Sequence, residues 1–421
     1  QMENYKRSLG IEDGEEWEPF AGMRSQAKLL RNFLDAVPFS QPPKFRQYSE
    51  AKIDIPKITP APVLDTLSTQ DAFGRIMYDL AGSRTDLADR IVTTSPDVTQ
   101  STNLGGWVNR RGIFARDKKA DVFRAEQVPS AQKWEFSDAG QHLELGIAEN
   151  NLFILLGALG LSHEYFGKRL FPVGTLYDPF IARGLDALNY ACYQDARFMV
   201  IATPSGITLA PEGGAHQSVS TPLIGIGQPG LVSFEPSYAD ELAVIMGWGF
   251  DYMQSDDGGA VYLRLSTRPL DQPERHANSK LNRDILAGGY WRSRPSSGAA
   301  GAIVYMGAVA PEAEAAHALL LSEGEGPGLL AITSPDKLYS DWQLKGNRSH
   351  VSGLLSDLEP GARLVTILDG HPATLSWLAG VNGQRNQPLG VTRFGQCGDL
   401  MSLYSEYGLD VKSICSAYYR L

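Results

Sequence analysis

Cysteine is scarce: three residues, Cys192, Cys397 and Cys415, lie far apart in a chain of 421. An odd, scattered set gives neither a disulfide framework nor a CxxC zinc pattern, and it suits a reducing compartment. Positive charge is also short, with 38 Lys and Arg against 48 Asp and Glu and a net charge of −10. No broad basic face is therefore available for DNA or RNA. Long apolar runs are missing as well. The longest, LFILLGALGL from Leu152, is about half of the ~20 residues that a bilayer span requires, and the first residues carry no signal-peptide pattern. These absences read as a soluble, cytoplasmic protein. No GxSxG elbow and no GxxxxGK(S/T) loop occurs, which removes the hydrolase nucleophile and the P-loop phosphate cradle. GALG falls inside a helical pattern and not after a strand, so it is no dinucleotide fingerprint. LDGHPAT places Asp-Gly after a strand, but no paired asparagines follow at the spacing of a metal-diphosphate site. His142, His163 and His371 show no metal-ligand spacing either.

What is present is an ordinary globular composition, 43% hydrophobic and 20% charged, long enough for two or three cores. Residues 1–65 mix charge, proline and short apolar runs, which reads as a linker or extended arm. Because the first residue is Gln1, the reading is that the chain begins inside a longer polypeptide. From Ser68 the pattern changes. Phe73, Ile76, Met77 and Leu80 fall at helical spacing behind a Ser68 cap. RIVTTSPDV, RFMVIAT and AVYLRLS then read as strands, alternating with the helices GIAENNLFILLGALGL, PFIARGLDALNYACYQDAR and SYADELAVIMGWGF, the last capped by Ser237. A second alternation follows a polar connector: AAGAIVYMG, PEAEAAHALLLSEG, GLLAITS, ARLVTILDG and PLGVTRFG. The fold class is α/β, with two doubly wound domains at 66–275 and 285–421 behind the arm.

Four residues carry possible chemistry. Glu149 opens the helix GIAENNLFILLGALGL, where a carboxylate either complements the helix dipole or sits buried as an acid that shares a proton near neutral pH. Tyr177 and Phe180, in FPVGTLYDPFIARG, pack in the core or offer a flat platform for a heterocycle. His216, in LAPEGGAHQSVS, lies in a loop between strand and helix, where flanking Gly213 and Gly214 suit close approach by a substrate.

Six segments in order resemble the thiamine-diphosphate family of transketolase and the homodimeric pyruvate dehydrogenase decarboxylating component. They are STQDAFGRIMYDLAGSRTDLADRIV, GIAENN, FPVGTLYDPFIARGLDAL, the TPSGIT to GGAHQ loop, SFEPSYADELAVIMGWGFDYM and PLGVTRFGQCGDL. The resemblance implies a pyrimidine-binding domain followed by a transketolase-type carboxy-terminal domain. It implies that Glu149 hydrogen-bonds the aminopyrimidine and so activates the thiazolium carbon, that Phe180 stacks on that ring with Tyr177 nearby, and that His216 approaches the substrate as an acid, a base or an oxyanion donor. Asp97 and Ser101, in SPDVTQSTNL, match a substrate-channel segment, and Arg268 or Arg264 in YLRLSTRPL offers an anion contact.

Departures from the family choose among reactions. Pro204 replaces a family histidine, and an arginine expected near Leu64 is absent. Losing such donors weakens phosphate-ester recognition, so a 2-oxo acid is favoured over a ketose phosphate. The GDG motif and Asn that hold the diphosphate and Mg2+ are not in this sequence. The expectation is therefore the carboxy-terminal half of a pyruvate-dehydrogenase-like enzyme, which forms and transfers a two-carbon unit from a thiamine-bound enamine. That half needs an amino-terminal diphosphate-binding half or separate subunit, forms a homodimer, and passes its product to an acceptor such as a lipoyl acyltransferase. The alternatives are transketolase-like ketol transfer, or a non-catalytic half that provides dimer surface.

Overall fold

A computed structural model of the chain describes residues 1–37, 51–59, 65–117, 126, 133–275 and 278–421. Leu64, where the family arginine was sought, lies outside the described residues. The chain divides into a small unit, Gln1–Ala51 with Leu161–Arg169, and a large one, Lys52–Gly160 with Leu170–Leu421. Much of the expected extended arm has structure. Met2–Ser8 and Ser25–Ala36 are helices that bury none of their residues, the second following from the apolar spacing of Leu29, Leu30, Phe33 and Leu34. Within the large unit, Ile53, Ile55 and Ile58 pack on the core, and the Gln254 side chain bonds both the N–H and the C=O of Ile53 at 3.0 and 2.9 Å.

The first sheet has eight strands: β1 Ile91–Ser95, β2 Ile113–Phe114, β3 Phe136–Ser137, β4 His142–Glu144, β5 Phe171–Leu176, β6 Met199–Ala202, β7 Leu231–Phe234 and β8 Ala260–Arg264. Their spatial order is β3-β2-β4-β1-β5-β6-β8-β7, and every pair is parallel. Buried on both faces, β5, β6 and β8 are fully enclosed along their length, as continuous apolar strands in parallel sheets are. The covering helices include α1 Thr69–Gly82, α2 Glu149–Gly160, α3 Leu185–Tyr193, α4 Thr221–Gly227 and α5 Ala239–Gln254. Ser68 caps α1, its hydroxyl accepting the Asp71 N–H at 3.0 Å.

The second sheet comprises β9 Gly289–Ser293, β10 Ala299–Met306, β11 Gly328–Ile332, β12 Leu358–Leu368 and β13 Arg385–Leu389, in the order β9-β11-β10-β12-β13 with only β9 antiparallel. Around it lie α6 Ser279–Ala287, α7 Ala310–Ser322, α8 Pro335–Lys345, α9 Leu400–Glu406 and α10 Val411–Arg420. In open α/β sheets the crevice at the carboxyl ends of the strands is the usual ligand site. Here the carboxyl ends of β10, β11 and β12 meet the first domain instead. The Ser237 hydroxyl donates to Gly307 O at 2.9 Å, the Glu235 N–H to Thr333 O at 2.8 Å, and Arg264 to Asp369 O at 2.8 Å. Ser237 is therefore not the cap of α5. Glu241 reaches back to the Ser237 and Tyr238 N–H groups at 2.7 and 3.3 Å instead.

Candidate active site

The sequence-derived candidates cluster where parallel strands end. Asp97 follows β1, Glu149 follows β4, Tyr177 and Phe180 follow β5, and His216 lies in the loop after β6. β4, β1 and β5 are neighbours, and the chain order reverses across β1, so these residues stand at a topological switch point.

Glu149 opens α2 and is buried, with 6% of its surface exposed. Its Oε1 accepts a hydrogen bond from Arg183 Nη1 at 2.7 Å. The same guanidinium lies over the Phe180 ring, 3.9 Å from its centroid. Phe180 stacks with Tyr177 at 5.9 Å and 11°, and His216 meets both rings edge-on, at 5.5 Å from Phe180 and 6.0 Å from Tyr177. Arg183 reaches this position because a 3-10 turn over Asp178–Gly184 brings the residue three beyond Phe180 back onto its side. Glu212 is 3.8 Å from His216 Nδ1, too far for a hydrogen bond, and that nitrogen is buried without a bonding partner among the described residues.

This cluster brings together a buried carboxylate, two aromatic rings and an imidazole. A guanidinium is planar, points N–H groups at a carboxylate and lies flat on rings. Arg183 is half exposed, at 51%. Among the described residues no three His, Cys, Asp or Glu side chains group to hold an ion.

Asp97 and Ser101 belong to the turn after β1 and not to the ring cluster. Asp97 has φ +66°, an uncommon conformation for a residue with a side chain. Glu144 holds that turn: Oε1 accepts the Asp97 N–H at 2.8 Å, and Oε2 accepts from the Thr99 hydroxyl at 2.7 Å. The Ser101 hydroxyl donates to Val98 O at 3.2 Å. Arg268 is committed elsewhere. Its guanidinium makes two bonds of 2.8 Å to the buried Glu312 carboxylate and one of 2.9 Å to Ala308 O.

The glycines beside His216 are closely packed. A Cβ on Gly213 would stand 2.5 Å from Cys397 Sγ, and one on Gly214 would stand 2.3 Å from Gly395 O. The carboxy-terminal segment 394–398 thus lies against the histidine loop, fastened by Gln217 Nε2 to Gln396 O at 3.1 Å and Gly398 N–H to Ala210 O at 3.2 Å. Gly206, in the TPSG loop, is forced in the same way, since at φ +64° its Cβ would meet the Asp369 carboxylate at 2.4 Å.

Beneath the site lies a buried charge cluster. Arg264 Nε bonds Asp178 at 2.9 Å, Nη1 bonds both Glu235 oxygens at 2.8 Å, and Nη2 bonds Asp369 O at 2.8 Å. Asp178 also accepts from Ser218, from Thr221 at 2.6 Å and from Tyr262 at 2.5 Å. The Asp369 carboxylate accepts the Ile207 N–H at 2.9 Å and the Tyr404 hydroxyl at 3.2 Å. One cation cannot neutralise three carboxylates, so burial raises Glu235 to about 7 and Asp369 to about 6. Acids held more protonated in the folded than in the unfolded state stabilise most below their unfolded pKa and lose that contribution as pH rises through the folded value. The stability of the chain relative to Glu235→Gln should therefore fall between about pH 4.5 and 7. Urea unfolding at several pH values checks this, and a difference that does not change with pH would contradict it.

Sequence reasoning missed Arg183, Glu144 and this cluster, apart from Arg264, which it offered as an anion contact and which here binds Asp178, Glu235 and Asp369 O. The helical spacing of Phe180 and Arg183 was an available signal; the cluster had none, because its members are far apart in the chain.

Residues 62–269 match the family described as the pyruvate dehydrogenase E1 component middle domain. The chain is 27% identical over 286 residues to the pyruvate dehydrogenase E1 component of Mycolicibacterium smegmatis, across 67% of this chain and 28% of that protein. Among solved structures it is similar to transketolase from Leishmania mexicana, with TM-score 0.69 and 16% identity over 94% of this chain and 51% of that one. It is also similar to a split-gene transketolase solved as an inactive beta4 tetramer, with TM-score 0.56 and 18% identity over 84% of this chain and 98% of that one. The chain thus spans well under two thirds of the first relatives it matches, and the structural likenesses establish the fold.

Proposed function

Because this chain belongs to the thiamine-diphosphate-dependent family of transketolases and pyruvate dehydrogenase E1 components, we propose that it supplies the pyrimidine-binding half of a 2-oxo acid dehydrogenase acting on pyruvate or a close analogue. The observation that carries this reading is the buried Glu149 carboxylate beside the Phe180 face, both engaged by one planar cation. Thiamine diphosphate, when bound, supplies the carbon nucleophile and the electron sink for loss of carbon dioxide. Glu149 would hold the pyrimidine nitrogen by a hydrogen bond and keep a proton shared there. Phe180 and Tyr177 would fix the plane of the ring, and Arg183 would withdraw from both. His216 would hold or deliver a proton at the reacting oxygen, supported from behind by segment 394–398. Asp97 and Ser101 would line the approach.

The diphosphate and Mg2+ would be held by another half, its own or a separate subunit. The unpartnered faces of α2 and α3, with Ile154 at 57%, Tyr190 at 60% and Tyr193 at 83% exposure, are the surface on which that half of a second copy would sit. The proposal includes a dimer built on this surface, a lipoyl acyltransferase as the kind of acceptor and the cytoplasm as the compartment. No described helix is long and apolar enough to cross a membrane. The match to an E1 middle domain supports a 2-oxo acid over a ketose phosphate. The test is turnover of the assembled enzyme on pyruvate against xylulose 5-phosphate. Faster consumption of pyruvate is expected; faster ketol transfer would replace this reading by the transketolase one, and neither activity would leave the non-catalytic half.

A further inference from the structure

The loop from β6 to α4 carries His216, and its neck is closed on itself. The Ser218 N–H donates to Gly206 O at 3.1 Å, and the Gly206 N–H donates to Ser218 Oγ at 2.8 Å. Residues 207–217 stand beyond that neck, with His216 two residues from its end. The imidazole Nδ1 has no bonding partner among the described residues, so the loop backbone and the two rings that it meets edge-on set its place.

The neck is fastened on two sides. Ser218 Oγ donates to Asp178, which lies between Tyr177 and Phe180 in the chain, and this ties the loop to the turn that bears both rings. From the second domain, the Asp369 carboxylate accepts the Ile207 N–H, with Oδ1 at 2.9 Å and Oδ2 at 3.1 Å. At the far end of the loop the His371 N–H donates to Val219 O at 2.8 Å. LDGHPAT has no asparagines placed to complete a metal-diphosphate site, yet its Asp369 and His371 grip both ends of this loop. Asp369 is itself held: it is 1% exposed, the Tyr404 hydroxyl donates to its carboxylate at 3.2 Å, and its carbonyl accepts from Arg264 at 2.8 Å. Ile207 is fully buried, and a buried N–H that loses its acceptor turns the backbone toward another one.

We infer that Asp369 is a positioning residue for His216: from the second domain it fixes the loop neck so that the imidazole stays edge-on to Phe180 and Tyr177. The inference rests on the reading that His216 meets the substrate.

Two readouts on one pair of variants test it. In the full chain, Asp369→Ala should speed hydrogen exchange at residues 207–217 by about tenfold or more while α5 keeps its protection. In the assembled enzyme the same variant should lower kcat on pyruvate by about tenfold or more, since displacing a reacting group by ~1 Å can cost ~10²-fold, with KM changed by less than about threefold. Asp369→Asn keeps an oxygen for the Ile207 N–H and should return both readouts to within about threefold of the parent chain. Unchanged exchange in the loop overturns the inference. So does an asparagine variant as slow as the alanine one, which would assign the effect to lost charge. His216→Ala separates the inference from the reading beneath it. If His216→Ala abolishes turnover while the loosened Asp369→Ala keeps its kcat, the positioning role alone fails. If His216→Ala turns over like the parent, the reading of His216 fails and the inference falls with it. Where the melting midpoint shows that Asp369→Ala does not fold, Gln217→Ala cuts the tie to Gln396 O outside the charge cluster, and the same outcomes decide.

Discussion

Replacing Arg264 by methionine is expected to cost about 3–5 kcal/mol of folding stability, the usual penalty for removing one partner from a buried ion pair. The loss would come from both domains at once. Arg264 is 2% exposed, yet it binds the Asp178 side chain before α3, Glu235 after β7 and the Asp369 carbonyl after β12. Without the guanidinium, Asp178 and Glu235 lose their bonded countercharge and Asp369 keeps only the more distant Arg268, so the cheapest response is to take up protons. The deficit should therefore be larger at pH 8 than at pH 5, where Glu235, already raised to about 7, is mostly neutral. Urea unfolding at both values measures this. A loss under about 1 kcal/mol at pH 8, typical of a surface pair, would mean that the cluster does not hold the two domains together.

Glu149→Gln is expected to lower turnover of the assembled enzyme by about 10²–10⁴-fold, the range for removing a general acid or base. The exchange keeps the shape and leaves an oxygen for Arg183, so the unfolding midpoint of the chain should scarcely move. Arg183 already supplies Glu149 with a bond of 2.7 Å, and a purely structural Glu149 would tolerate an amide there. Steady-state kinetics on pyruvate separates these cases: a fall in kcat with intact folding supports a role in the reaction, and unchanged kcat favours the non-catalytic half.

Much of this fold was legible because local signals agreed with tertiary ones. The Ser68 cap, the apolar runs of β6 and β8 and the second strand-helix alternation were each visible in ten or so residues. β5 was not, because Pro172 and Gly174 read as a turn. Gly174 is needed there because α2 passes so close that a Cβ would stand 2.7 Å from Leu156 Cδ1. Ser237 looked like a cap because sequence shows only its neighbours along the chain, while its hydroxyl goes to Gly307 in the other domain. Gly213 and Gly214 looked like ligand glycines for the same reason, and their close neighbours are Cys397 and Gly395. In the site itself, Glu149, Phe180, Tyr177 and His216 stood out by residue type and position, and the structure brings them together. Their governor, Arg183, was hidden because an arginine at a helix start looks like any exposed cation until its partner is seen.

The central claim is that the Glu149 carboxylate, once Arg183 withdraws, receives the aminopyrimidine of thiamine diphosphate. A crystal structure of the assembled enzyme with that coenzyme measures it most directly. The account predicts a carboxylate oxygen within about 2.6–3.2 Å of a pyrimidine nitrogen, the ring against Phe180, and the Arg183 guanidinium turned to solvent. A coenzyme ring bound elsewhere, with Glu149 still paired to Arg183, would contradict it.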